Sequence, residues 1–82
     1  MNKAFEFHSK GNISQAKKYY KYCIAKGLND PQIFSNYGVI LQGQNKLHEA
    51  EESYRKAIQL NPNYGTAYSN LGGIRYPFKN YL

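Results

Sequence analysis

An all-α fold of antiparallel helix pairs stacked in a row is what this sequence predicts, on three observations. Residues of several types recur at one interval of 34: Ala16 with Ala50, Tyr20 with Tyr54, Ile24 with Ile58, Gly38 with Gly72. A shared period of that size marks a helical repeat array. Within each period apolar residues fall three and four apart, as one face of a helix with about 3.6 residues per turn requires. The stretches between are short and polar, Gly11-Asn12 and Gln42 to Lys46, so consecutive helices are antiparallel neighbours. About five helices are expected, over residues 2–10, 14–26, 31–43, 46–60 and 64–76.

Each element has its own local grounds. Stepping back 34 residues from Asn36-Tyr37-Gly38 gives Asn2-Lys3-Ala4, so the helix over 2–10 is the later part of a first helix, with Lys3 at a core register. Asn12 and Gln15 have the spacing of a capping box ahead of the next helix. That helix turns Ala16, Tyr19, Tyr20, Cys23 and Ile24 inward and stops at Gly27, the residue best able to take a left-handed cap. Asp30-Pro31 starts the third: the carboxylate accepts from first-turn amides, and proline lacks only an N–H that would be unpaired there. Its stripe is Ile33, Phe34, Tyr37, Ile40 and Leu41; Leu47, Ala50, Tyr54, Ala57 and Ile58 form the stripe of the fourth, which closes at Asn61-Pro62. Gly38 and Ala50 are small residues on facing stripes and predict a close approach of those two helices. In the fifth, Tyr68, Leu71 and Gly72 repeat the register of Phe34, Tyr37 and Gly38; Arg75 replaces Leu41, and Pro77 stands where a turn glycine equivalent to Gly43 is expected.

The unit Asp30–Pro62 carries Phe34, Tyr37, Gly38, Leu41, Ala50, Tyr54, Ala57 and Pro62. In that order and spacing they resemble the tetratricopeptide repeat (TPR), with Tyr37 the least typical. The resemblance implies a right-handed solenoid of about two and a half repeats whose first helices line a concave surface and whose second helices form the convex one. One array is expected over residues 1–76, made of a partial repeat 1–29, a complete repeat 30–63 and a capping helix 64–76, with a tail at 77–82.

Composition narrows the function. Eighty-two residues suffice for one small domain and are few for a catalytic one. No apolar run approaches a membrane span and no signal-like region follows Met1, so a cytoplasmic, non-membrane protein is expected. Cys23 is the single cysteine, which excludes an internal disulfide, and its register with Ala57 marks it as a small core residue. His8 and His48 lack partners at metal-ligand spacing, so no metal or other cofactor is expected. Glu49, Glu51 and Glu52 could pass for a catalytic cluster, but Glu51 with Arg55 and Glu52 with Lys56 have the four-residue spacing of a solvated helix face. No enzyme is expected.

Asparagine is the residue type that stands out. Asn2, Asn36 and Asn70 are 34 apart, each two residues, or roughly 200° of helix, from the small residue at the core. An amide can pair with both the C=O and the N–H of an extended peptide without reading its side chains. The pattern resembles the asparagine ladder in the TPR superhelix of O-linked N-acetylglucosamine transferases. The alternative reading is structural, each amide bonding the neighbouring repeat or capping local polar groups. On the first reading the groove comprises Asn2, Gln32, Ser35, Asn36, Val39, Gln42, Thr66, Ser69, Asn70 and Gly73, and the partner is another protein or peptide. Lysine and arginine are absent from this set, which disfavours the clamping of chaperone C-terminal carboxylates for which related TPR modules use basic residues.

Two further partner classes follow from what is left over. A net charge of +6 includes Lys17, Lys18 and Lys21 on a helix without acids, a basic convex patch that is either solvation or the dock of an adaptor for an acidic protein or nucleic acid, with nucleic acid the less favoured partner. Nine tyrosines and four phenylalanines exceed what so thin a stack can bury, with Tyr22, Tyr64, Tyr76, Phe78 and Tyr81 expected outside. Incomplete repeats at both ends make a homodimer a competing function, with Tyr68 and Leu71 at its contact.

Overall fold

The computed structural model describes residues 12–74; the expected helix over 2–10, the tail at 77–82, and residues Asn2, Tyr76, Phe78 and Tyr81 lie outside them. Four α-helices follow one another: α1 (Ile13–Ala25), α2 (Pro31–Gly43), α3 (Leu47–Leu60) and α4 (Gly65–Gly72). No strand occurs among the described residues. Each helix packs on the next in sequence, and α2 also touches α4, as a solenoid of helix hairpins requires.

The core has two parts joined through α2. Ala16, Tyr20 and Cys23 of α1 pack against Ile33 and Ile40 of α2. On the adjoining face of α2, Leu41 packs with Ala50 and Tyr54 of α3 and with Ile74 just beyond α4. Tyr37 touches both parts. Ala67, 34 residues after Ile33, is fully buried, so α4 lies close on the rest of the stack. Gly38 has a different role from the one expected of it. A methyl group there would meet Tyr54 Cε1 at 2.6 Å and Cδ1 at 2.7 Å, so the glycine seats a tyrosine ring instead of letting two bare backbones meet.

Caps fix the helix ends. Asn12 Oδ1 accepts from the Gln15 amide at 3.3 Å, and Asp30 Oδ1 from the Gln32 amide at 2.9 Å. α1 and α2 end in the same way. Leu28 N–H donates to Cys23 O and Gly27 N–H to Ile24 O; Lys46 N–H donates to Leu41 O and Asn45 N–H to Gln42 O. This double bond pattern needs a left-handed residue, Gly27 at φ 80° in the first case and Asn45 at φ 62° in the second. The expected turn glycine, Gly43, is instead the last residue of α2, because the cap falls two residues later.

α4 stops at Gly72, short of the expected residue 76. Two successive glycines, Gly72 and Gly73, remove side-chain support, and glycine costs about 1 kcal/mol in a helix relative to alanine. The polypeptide turns there to bury Ile74. Tyr22 is exposed as expected, whereas Tyr64 is half-buried at the start of α4. Glu51 accepts from both Nε and Nη2 of Arg55 at 3.0 and 2.8 Å. Glu52 and Lys56 form no such pair and line a cleft instead.

Candidate functional site

The polar residues expected to serve binding fall on the first helices α2 and α4 in matched pairs. Gln32 and Thr66, Ser35 and Ser69, Asn36 and Asn70, Val39 and Gly73 are each 34 apart. Gln32, Asn36 and Val39 follow one another by four and three residues along one face of α2, as do Thr66, Asn70 and Gly73 on α4. Val39 is 39% exposed, an apolar side chain left at the surface; Thr66, Ser69 and Gly73 are exposed, and Gln32, Asn36 and Asn70 half-buried.

Two expected groove residues are committed elsewhere. Ser35 is only 1% exposed and belongs to the packed interior, because its place on α2 faces neighbouring structure. The Gln42 amide oxygen accepts from the Tyr54 hydroxyl at 2.8 Å, a bond that ties α2 to α3 over the seat at Gly38. Burial pushes the Tyr54 phenol up to about 12. A second polar tie joins the same helices where Ser53 Oγ donates to the Phe34 carbonyl.

Asn36 has an internal neighbour as well. Burial raises the pKa of Tyr20 on α1, and the Asn36 side chain near its hydroxyl works in the opposite direction. Asn36 therefore lies near the preceding repeat, which leaves Asn70 as the cleaner probe of peptide binding.

A cleft of about 270 Å³ lies between α1 and α3, over α2. Ile24, Phe34, Tyr37 and Leu41 supply its apolar residues, and Glu49, Glu52, Ser53 and Lys56 line it from α3. None of the expected groove residues lines this cleft.

The basic residues are divided by the fold. Lys17 donates to Gln44 Oε1 at 2.8 Å, across 27 residues of chain. Lys18 and Lys21 are exposed on α1, and Lys26 sits over the Tyr22 ring, 5.5 Å from its centroid. Desolvation lowers the Lys17 pKa first, and the nearby Lys46 and Lys21 ammoniums lower it further. Sequence reasoning omitted Lys46 because nothing local connects it to α1; the convergence is made by the α2–α3 turn. Among the described residues no group of three or more His, Cys, Asp or Glu could hold a metal ion, and no helix is long and apolar enough to cross a membrane.

Comparison with known proteins places this geometry. Residues 31–64, which are α2, α3 and the turn beyond, match the tetratricopeptide repeat family. Over 45 residues, 55% of this chain, the sequence is 47% identical to the human protein O-mannosyl-transferase TMTC1. It is 27% identical over 79 residues to YgeG, an uncharacterized protein of Escherichia coli, and 28% identical over 75 residues to Hsp70-Hsp90 organizing protein 3 of Arabidopsis thaliana. The matched segments span 5% of the transferase, 48% of YgeG and 13% of the organizing protein. Fold, period and family match agree: the chain is an all-helical, solenoid-type protein that carries a tetratricopeptide repeat at residues 31–64.

Proposed function

We propose that the chain is a non-catalytic module that binds an extended segment of another protein along the side of the array shared by α2 and α4. Tetratricopeptide repeats generally mediate protein–protein interaction. The observation that carries the reading is the pairing of Gln32, Asn36 and Val39 with Thr66, Asn70 and Gly73 at the repeat interval on two touching helices. An extended strand advances roughly 3.3 Å per residue. Amides repeated along its path hold backbone groups at intervals, while Val39 offers an apolar contact. Residues 1–76 act as one array in this reading, residues 77–82 as a tail, and the setting is cytoplasmic. The relative named as an Hsp70-Hsp90 organizing protein supports a protein partner in general terms. The transferase activity in the name of the other belongs to a protein of which the matched segment is one-twentieth.

The test is a partner screen by affinity capture, followed by calorimetry of each identified partner peptide with wild type, Asn70→Ala and Thr66→Ala. Loss of affinity by tenfold or more in Asn70→Ala, with the helical circular dichroism unchanged, supports the reading. Unchanged affinity in both variants overturns it.

A second reading has its own observation. On α4, Tyr68 is 51% exposed and Gly72 has nothing within 4 Å of where a methyl group would stand, although the same register on α2 is covered by α3. In this reading the face of α4 joins a second copy. Multi-angle light scattering that gives a dimer mass for wild type and a monomer mass for Tyr68→Glu would favour assembly; a monomer for both would remove it.

A further inference from the structure

Three lysines from two separate parts of the chain converge beside the α2–α3 turn. The hydrogen bond from Lys17 to Gln44 turns that side chain toward the turn. Lys46 leaves the same turn two residues beyond Gln44, and Lys21 stands one helical turn further along α1; the charges of both lower the Lys17 pKa. Like charges repel, and side chains as long as lysine separate in water when nothing holds them. Here the Lys17–Gln44 bond holds one ammonium at the turn, and the cap at Asn45 fixes the backbone from which Lys46 leaves. Among the described residues Glu49 is the carboxylate whose charge acts on Lys17, and its effect is the smallest of those acting there.

We propose that Lys17, Lys21 and Lys46 form a site for one compact dianion, a phosphate monoester borne by a partner protein. The arrangement favours that ligand over a nucleic acid strand, which needs a row of cations spaced along its backbone. The other lysines on α1 and at its C-cap do not extend the cluster into a row: Lys26 is held over Tyr22, and Lys18 leaves the helix about 100° away from Lys17. Lys17 retains two N–H groups after its bond to Gln44, and Lys21 and Lys46 each have three. A phosphate monoester presents three strong acceptor oxygens and close to two negative charges at neutral pH. The cluster contains none of the paired residues of α2 and α4, so it does not depend on the groove reading.

The experiment is a titration of isotopically labelled protein with O-phosphoserine at constant ionic strength, followed by amide chemical shifts, with serine as the control ligand. We expect saturable shifts centred on Lys17, Gln44, Asn45 and Lys46, at least tenfold weaker binding by Lys46→Gln, and binding within twofold of wild type by Lys18→Gln. The last variant loses the same charge from outside the cluster. The Lys17 pKa, read from its side-chain carbon shifts, should rise in Lys46→Gln; if it does not, the two ammoniums are not neighbours and the site falls. Shifts that grow with ligand without saturating, or equal weakening by Lys18→Gln, would overturn the proposal. So would a short single-stranded oligonucleotide that saturates the same residues at lower concentration than phosphoserine.

Discussion

Gly38 and Gly72 hold the same place in the repeat, 34 residues apart, and their surroundings are opposite. At Gly38 the Tyr54 ring occupies the space a methyl group would need; at Gly72 that space is open. The difference shows what the glycine is for. Nothing in the α2 backbone calls for it, since its φ lies in the ordinary helical range, and only the ring from the following helix makes it necessary. Among the described residues no helix follows α4 and no ring fills the space beside Gly72, so glycine there carries its conformational cost without seating a tyrosine.

The comparison breaks most sharply at the rings. Tyr54 is fully buried, and Tyr54→Ala should cost about 3–5 kcal/mol, a large share of the stability of so small a domain. Tyr68→Ala should stay within about 0.5 kcal/mol, because its ring is half in water. Urea midpoints of the two variants are the check, and similar midpoints would mean that the two faces are packed alike.

A methyl group sharpens the contrast. Alanine is the better helix former by roughly 1 kcal/mol, yet at Gly38 it meets a buried ring that has no room to move, and overpacking costs about 1–3 kcal/mol. We expect Gly38→Ala to lower the melting temperature and Gly72→Ala to leave it level or raise it. The same substitution in the same register thus has opposite signs.

How far this was legible in the sequence depends on how local the cause is. The limits of α2, its cap at Asp30 and the left-handed Gly27 all follow from neighbours within a few residues, and they were readable. The repeat interval likewise pointed to the buried set Ala16, Tyr20, Ala50 and Tyr54. Asn45 was hidden because Gly43 is the more obvious left-handed residue, although the cap position is counted from the last helical bond and falls later. The neighbours of Ser35 and Gln42 were hidden for another reason. Each residue rotates a helix by about 100°, so a small error in the direction of a neighbouring helix moves a side chain from surface to interface. The Asn36–Tyr20 contact and the lysine cluster at Lys46 join residues 16 to 29 positions apart across different helices, and no spacing rule covers them.

Titration tests the burial of the Tyr54 ring by a smaller effect. The folded pKa of Tyr54 is raised to about 12 from the ordinary 10.0, so the neutral phenol is the form the fold favours. Its contribution is complete below pH 10 and is lost as pH rises through the folded value near 12. Phenolate absorbance should show Tyr54 ionising only in that window, together with loss of helical circular dichroism. Tyr54→Phe should retain stability across the window, and a wild-type ionisation near 10 would disprove the burial argument.

The least effect belongs to the two caps. Gly27→Ala places a side chain at φ 80° and should cost about 1–2 kcal/mol, whereas Asn45→Gly relieves φ 62° and should gain a few tenths. Thermal melts of the pair resolve the signs.

Cys23 gives the molecule its own clock. The thiol is buried against α2, so a membrane-impermeant alkylating reagent reaches it only when α1 lifts away. With reagent in excess and reclosing slow, the modification rate equals the rate of that opening; with reclosing fast, it reports the fraction of molecules open. Because this is the one cysteine in the chain, a single mass increment timed by spectrometry follows the α1–α2 seam alone, with no probe to engineer.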